Sequence, residues 1–324
     1  MVSELHKFLF EGLPVRGVLV RLDADWQEVL RRRAEGAGWP APVQALMGEM
    51  AAAGVLLQSN ISFNGALVLQ VYGDGPVKLA VAEVRSDLGF RVTAKVDGEV
   101  AEDAALDALL NVQGGGRCAI TLDPKDKTAG QQPYQGVVPL SGPDGEPLRR
   151  LAEVLEHYMR QSEQLDTRLV LAADGRCAAG LLIQRLPVEG VGNLAGREDA
   201  PEADESHEAF HRIAMLAATL STEELLGLDA DTLLRRLFWE EPLRRFEPQR
   251  GESGPRFACT CSRQRVGQML VSLGRSEVDE VVEEQGRVEV GCEFCGLRYH
   301  FDAVDVGELF TPRIDQAPGS ASLN

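Results

Sequence analysis

The sequence predicts an α+β protein with a large N-terminal domain of mixed sheet and helix, a helical linker and a small C-terminal domain. Three observations predict this order. Strand-like and helix-like runs share the first 187 residues, short amphipathic helices follow them, and four cysteines lie within 37 residues near the C-terminus. A chain of 324 residues that is 44% hydrophobic can bury a core in one large domain and still carry a smaller one.

Residues 1–187 form the predicted N-terminal α+β core domain. Runs rich in β-branched and apolar residues indicate strands, and apolar spacings of three and four indicate helices. Asn64-Gly65 is a typical hairpin dipeptide. The predicted strands are Val15–Leu22, Ala66–Tyr72, Val77–Arg85, Gly89–Val96, Arg117–Leu122, Tyr134–Leu140, Arg168–Ala172 and Cys177–Leu186, and the predicted helices are Trp26–Ala34, Val43–Leu57 and Glu146–Glu163.

Residues 188–250, called the linker below, have a different composition. A loop is predicted at Glu189–Asn193, and the acidic run Glu198–Glu208 is predicted to be a solvated, disordered connector. Helices follow, with a capping box at Ser221 and Glu224 and an end at Pro242. Their apolar stripes are Phe210, Ile213, Ala217 and Leu220, then Leu233, Leu234, Leu237 and Phe238. Such short helices depend on packing, so we expect the linker to be metastable.

Residues 251–313 form the predicted C-terminal domain. Val266, Met269, Leu270 and Leu273 indicate a helix that ends at Gly274. Ser276 with Asp279 predicts the cap of a second helix, which ends at Gly286. Val288 and Val290 precede the second cysteine pair, and a strand of alternating Leu297, Tyr299 and Phe301 follows it. The tail, residues 314–324, is predicted to be disordered.

The four cysteines are the chemical feature of this domain. Cys259 and Cys261 form a CxC pair, thirty residues intervene, and Cys292 and Cys295 form a CxxC pair. Two close thiol pairs around a short insert suit one tetrahedral zinc ion per chain, bound by all four sulfurs. His300 lies nearby, but four thiolates already complete a tetrahedron. Because so small a unit buries little core, losing the metal would unfold it.

The CxC half leaves two interpretations open, a purely structural zinc site and a redox switch. Thiolates remain oxidisable, and each pair is local enough to close on itself, Cys259 with Cys261 and Cys292 with Cys295. A disulfide across one intervening residue is strained and therefore easily reduced again. Oxidation would thus release zinc, unfold the small domain and remove support from the linker.

Charge and composition exclude several functions. A net charge of -17 and a pI near 4.8 argue against binding to nucleic acids or anionic membranes.

No secretory signal is evident in the first twelve residues, so a reducing cytoplasmic location is expected. Cys118 and Cys177 stand alone and are expected to be buried apolar residues. The glycine-rich segments at 73–75 and 114–116 lack a following GKS/T and are expected to be turns.

Several segments resemble the 33-kDa chaperonin, or heat-shock protein 33, family along nearly the whole chain. The segments that carry the resemblance are Phe257–Arg265, Gly291–Gly296 with Tyr299-His300-Phe301, Pro133–Leu140, Gln161–Leu165, Val15-Arg16-Gly17 and Thr222–Leu226.

This resemblance implies a redox-regulated, ATP-independent holdase and no enzyme activity. Cys259, Cys261, Cys292 and Cys295 would ligate zinc in the reduced, inactive form. Under oxidative and heat stress they would form two disulfides, zinc would leave, the linker would unfold, and the protein would dimerise and bind unfolding clients. Clients would later pass to ATP-dependent chaperones.

Two other classes of function remain open from the residues alone. One is a thiol-disulfide oxidoreductase that uses Cys292 and Cys295, although no thioredoxin-like βαβ pattern surrounds them. The other is a constitutive zinc-ribbon binding protein, including a nucleic-acid module, which the acidic charge disfavours. The sequence contains neither a nucleophile elbow nor an HExxH motif, and no other catalytic motif is evident.

Overall fold

A computed structural model describes residues 2–35, 38–126, 133–187 and 203–311. It has the predicted mixture of helices and sheets, so the α+β prediction is confirmed. The chain divides into two compact units, the first ending at Ala258 and the second beginning at Cys259. The predicted division at 187/188, the loop at Glu189–Asn193 and the tail at 314–324 lie outside the described residues. The domain limits therefore stay predictions.

The N-terminal unit contains two sheets of six strands each. Sheet A consists of β1 (Glu4–Phe10), β2 (Val15–Leu22), β8 (Thr167–Ala173), β9 (Ala178–Arg185), β10 (Leu243–Arg245) and β11 (Gln249–Arg250); sheet B consists of β3 (Gly65–Tyr72), β4 (Val77–Arg85), β5 (Gly89–Val96), β6 (Arg117–Pro124), β7 (Tyr134–Pro139) and β12 (Arg256–Phe257). Sheet A is antiparallel in the order β10-β1-β2-β9-β8, with β11 also paired to β1. Sheet B has the order β12-β5-β4-β3-β6-β7, with β12 parallel to β5.

A central helix fills the space between the sheets. The helices of this part are α1 (Ala24–Ala34), α2 (Ala41–Ser59), α3 (Leu106–Leu110) and α4 (Leu151–Ser162). Helix α2 contacts strands of both sheets and is buried along most of its length. A helix that is apolar on all sides belongs inside a core, and this one joins the two sheets into the main core.

The linker covers the opposite face of sheet A. Its described part contains α5 (Ala203–Ala218), α6 (Thr222–Gly227) and α7 (Ala230–Leu237). Their apolar faces pack on β1, β2 and β9 in a second core. This core includes Phe8, Phe10 and Phe238, whose rings meet at 5.1 to 6.1 Å between centroids. Gly17 lies opposite Phe8 because any side chain there would overlap the Phe8 ring.

Several local predictions need correction. Asn64-Gly65 joins α2 to β3, so it is not a hairpin turn. Helix α4 begins at Leu151 rather than Glu146, since 147–150 form a bridge and a bend. Ser276 lies inside its helix and does not cap it, because the preceding Gly274 takes the cap position. Strands β1, β10, β11 and β12 and helix α3 were not predicted. The acidic run is helical from Ala203, and its earlier part lies outside the described residues.

The C-terminal unit is small. It contains α8 (Arg263–Leu273), α9 (Arg275–Gln285), the antiparallel hairpin β13 (Val288–Gly291) and β14 (Arg298–Phe301), and α10 (Ala303–Leu309). Its described core has five buried apolar side chains, which are Leu270, Val278, Val288, Phe301 and Val306. So little buried apolar area needs additional stabilisation. Among the described residues, no helix combines the length and apolarity that crossing a bilayer requires.

Candidate metal centre

The CxC pair lies immediately before α8. The hydroxyl of Ser262 accepts a hydrogen bond from the Arg265 amide at 3.2 Å, which caps the helix. The Arg265 side chain turns back and donates to the carbonyl of Thr260 at 2.9 Å. Thr260, the residue between the two cysteines, is therefore hydrogen-bonded to the first turn of α8.

The CxxC pair occupies the turn between β13 and β14. The amide of Cys292 donates to the carbonyl of Leu297 at 2.9 Å, and the amide of Gly296 donates to the carbonyl of Cys292 at 2.8 Å. Gly296 has a φ of +72°, a left-handed conformation that favours glycine. The tight turn brings both sulfurs to one side of the hairpin.

All four sulfurs converge. Their Sγ atoms lie within 4.8 Å of one another, and the group contains no other metal-binding side chain among the described residues. Cys259 and Cys292 are 3.7 Å apart at Sγ, and Cys261 and Cys295 are 3.3 Å apart. With Zn–S bonds of about 2.3 Å, the sulfurs of a regular tetrahedron lie about 3.8 Å apart. The donor set and its spacing thus fit a zinc ion bound by four thiolates.

Proton sharing already polarises this cluster. The hydrogen bond between the Cys259 and Cys292 sulfurs lowers the pKa of Cys259 to about 4, and the same bond raises the pKa of Cys292. Burial raises the pKa of Cys295 to about 11. The Cys259 sulfur therefore carries negative charge more readily than those of Cys292 and Cys295. A divalent cation bound by thiolates would displace thiol protons and offset part of the resulting negative charge, so metal affinity should rise with pH.

Two side chains near the cluster, Tyr299 and Arg263, make contacts that stabilise it. The hydroxyl of Tyr299 donates to Cys261 Sγ at 3.2 Å, and this bond raises the pKa of Tyr299. Arg263 pairs with Asp305 at 2.7 Å and lies 4.2 Å above the centre of the Phe301 ring. The tyrosine is the hydrogen-bond partner of a cluster sulfur, and the arginine joins α8 to β14 and α10.

Sequence reasoning did not assign these two supporting roles. It treated Tyr299 as a core residue, whereas its hydroxyl contacts a cysteine sulfur. The available signal was that this residue, in the strand after CxxC, is a tyrosine and not a phenylalanine, so its hydroxyl needs a hydrogen-bond partner. Arg263 had no signal of its own, because its partners His300 and Asp305 lie far along the chain, in and after β14. His300 is not in the sulfur cluster and pairs with Glu289 at 3.3 Å.

The remaining candidates lie in the N-terminal unit. Cys118 and Cys177 are buried as expected, and burial raises the pKa of each thiol to about 12. Both glycine-rich segments are loops, as expected. The Asp74 carboxylate in the first accepts amide hydrogen bonds from Gln113 and Gly115 at 3.1 and 2.8 Å, which joins the two segments.

Comparisons with known proteins agree along almost the whole chain. The family model described as Hsp33 protein matches residues 3–302. A 33 kDa chaperonin of Chromobacterium violaceum is 46% identical over 309 residues, covering 95% of this chain and 94% of that protein. A 33 kDa chaperonin of Neisseria meningitidis serogroup A is 45% identical over 306 residues, covering 94% and 90%. The crystal structure of the 33 kDa chaperonin from Thermotoga maritima superposes with a TM-score of 0.70 at 20% identity, covering 94% of this chain and 97% of that one, and supports the fold.

Proposed function

This chain belongs to the Hsp33 family of chaperones, and from that membership we propose that it is a redox-regulated, ATP-independent holdase. In the proposal the reduced, zinc-bound form is inactive. Oxidation of Cys259, Cys261, Cys292 and Cys295 releases zinc and produces the form that binds unfolding proteins.

The four-sulfur cluster carries the proposal. Its sulfurs are close enough for metal binding and for disulfide formation, and they lie in a unit with only five buried apolar side chains in its described core. Bound zinc would supply the missing stability, as it does in other small metal-dependent domains. Losing four thiolate ligands would therefore unfold the unit, which is what a switch requires.

The proposed chemistry uses an oxidant such as hypochlorite or hydrogen peroxide. Each disulfide takes two electrons from two thiolates, and the oxidant is reduced to chloride or water. We propose the local pairs, Cys259 with Cys261 and Cys292 with Cys295. Sulfur contacts of 3.7 and 3.3 Å join Cys259 to Cys292 and Cys261 to Cys295, so peptide mapping of the oxidised protein must distinguish the two pairings.

The linker provides the surface that would bind clients. Its helices bury apolar residues, including Ile213, Leu233 and Phe238, against sheet A. Undocking would expose both the helices and the sheet face beneath them, and such apolar surface binds unfolding chains. The net charge of -17 would help to keep the opened protein in solution. Dimerisation of the oxidised form, transfer of clients to ATP-dependent chaperones and a cytoplasmic location complete the proposal.

Light scattering from a heat-unfolding client tests the central claim. The zinc-loaded reduced protein and the peroxide- or hypochlorite-treated protein are compared at equal concentration, and re-reduction with zinc serves as the reversal control. We expect suppression of scattering by the oxidised form alone. Equal suppression by both forms would indicate a constitutive chaperone with a structural zinc ion.

We also propose that the chain is not a thiol-disulfide oxidoreductase. The CxxC pair lies in a hairpin turn, whereas the redox CxxC of thioredoxin-like enzymes belongs to a βαβ unit. Insulin reduction by dithiothreitol should not accelerate when the protein is added. Catalytic turnover of insulin would reverse this assignment.

A further inference from the structure

Three segments that the cysteine cluster does not use meet at one cavity in the N-terminal unit. Val15-Arg16-Gly17 contributes Arg16, Pro133–Leu140 contributes Tyr134, and Gln161–Leu165 contributes Glu163. The cavity has a volume of about 300 Å³, which is in the range of small-ligand sites. Its apolar lining includes Leu57, Leu67, Ile120, Leu122, Met159 and Leu182.

Arg16 is held in place at this cavity by a row of polar side chains. It lies opposite Gln184, which lies opposite Thr167 on the next strand. The Arg16 Nε donates to Gln184 Oε1 at 3.0 Å, and a second guanidinium nitrogen contacts the same oxygen. Gln184 is 1% exposed and donates in turn to Thr167 Oγ1 at 2.8 Å. The row orients the guanidinium and leaves other donors of its planar fork available.

Lys7 adds a second positive charge on the same face of sheet A. It lies opposite Val18, two positions along β2 from Arg16, so their side chains project to the same side. Its ammonium group donates to the carbonyl of Ser59, and it lines an adjoining concavity of about 440 Å³ that also includes Arg16. Burial lowers the pKa of both groups, and repulsion by Arg16 lowers that of Lys7 further.

Neither cation has a carboxylate within 4.0 Å in the described part of the chain. Glu163 also lines the cavity, but its carboxylate accepts hydrogen bonds from the hydroxyls of Tyr158 at 3.0 Å and Tyr134 at 3.3 Å. Two half-buried cations without a counter-ion beside an apolar cavity are complementary to an anion with an apolar body.

We propose that this cavity binds an organic monocarboxylate with an apolar chain, the acid group held by Arg16 with Lys7 beside it and the chain enclosed by the apolar lining. A medium-chain fatty acid has this chemistry. The site lies in the N-terminal unit, and none of the four clustered cysteines lines it.

Isothermal titration calorimetry of the full-length, reduced, zinc-loaded protein tests the proposal with sodium decanoate below its micellar concentration. We expect saturable binding of one decanoate per chain, with no comparable binding of decanol or acetate, which each lack half of the recognised chemistry. Arg16→Met should weaken decanoate binding about tenfold or more, because it removes charged hydrogen bonds. Arg176→Met, an equal charge change at an exposed turn that lines neither cavity, should bind as the wild type does.

Hydrogen exchange of the wild-type protein provides a test that does not depend on folding of the variants. Decanoate should slow exchange around residues 57–62, which border both concavities. The proposal is overturned by any one of four results: no saturable binding, equal affinity for decanol, unchanged affinity in Arg16→Met, or protection confined to other parts of the chain.

Discussion

Replacing Phe238 by alanine should release the linker from sheet A without any oxidant. The Phe238 side chain is 2% exposed and packs edge-on against Phe10, with ring centroids 5.1 Å apart, and obliquely against Phe8 at 6.1 Å. Truncating a buried phenylalanine to alanine costs about 3–5 kcal/mol. If the linker opens as one segment, its undocked population should rise on the order of a thousandfold.

Limited proteolysis of the reduced, zinc-loaded protein measures that population when opening and closing are faster than cleavage. Cleavage within residues 203–257, located by mass spectrometry, should accelerate strongly in Phe238→Ala. The same preparation should suppress light scattering from an unfolding client while retaining its zinc. The matched control is Trp239→Ala, which alters the adjacent aromatic residue. Trp239 is 75% exposed, so its loss should change stability by only about 0.5 kcal/mol or less.

Two results would refute the reasoning. If both variants were cleaved at the wild-type rate, Phe238 would not hold the linker on the sheet. If Phe238→Ala opened the linker but the reduced protein still failed to protect the client, linker release would not be sufficient for holdase activity. The second result would leave intact the claim that Phe238 holds the linker on sheet A, but it would contradict the claim that linker release activates the holdase.

Three further predictions concern the metal centre and β1. Cys292→Ser should lose zinc and show raised basal holdase activity, measured by metal analysis and light scattering, whereas Cys118→Ala should retain zinc; normal zinc content in Cys292→Ser would contradict the ligand assignment. Tyr299→Phe should keep one zinc per chain but bind it about tenfold more weakly in competition with a chromogenic chelator, because a sulfur loses its hydrogen-bond donor. Burial holds the pKa of His6 below its usual value, so the folded state binds fewer protons than the unfolded state, and the free energy of unfolding should fall as the pH drops below about 6.5. In urea titrations at several pH values, His6→Gln should flatten that dependence, and an unchanged slope would count against His6 as its source.

Sequence patterns predicted the elements that carry a periodic signal. The long strands of both sheets alternate, and the linker stripes marked the helical faces that pack on sheet A. Strands β10, β11 and β12 have two or three residues each, too few for any period, and they exist only because β1 and β5 offer partners. Strand β1 itself is buried on both faces, so it lacks the alternation of a half-exposed strand.

The cysteine cluster was easier to predict than its surroundings. The four cysteines are candidate ligands of one type whose spacing is visible in the sequence, whereas the Tyr299 hydroxyl and the Arg263 pair depend on how the hairpin packs against α8. Asn64-Gly65 failed as a hairpin signal because the residues before it are helical, so no first strand exists to pair. The cavity at Arg16 brings that residue to two segments that follow it by more than a hundred residues, and no local sequence pattern predicts such a contact.

Short strands at the end of the linker, β10 and β11, and just after it, β12, shield the borders of both sheets. Strands β10 and β11 cover β1, and β12 covers β5, where the Phe257 amide also donates to the Asp25 carboxylate at 2.9 Å. Detaching residues 243–257 would therefore bare two rows of unsatisfied backbone amides and carbonyls at once. Such rows are templates for pairing with any extended chain. The same movement that uncovers apolar side chains would thus also expose sheet edges that can pair through backbone hydrogen bonds, whatever the partner's sequence. A second copy of this protein and an unfolded polypeptide could both bind there.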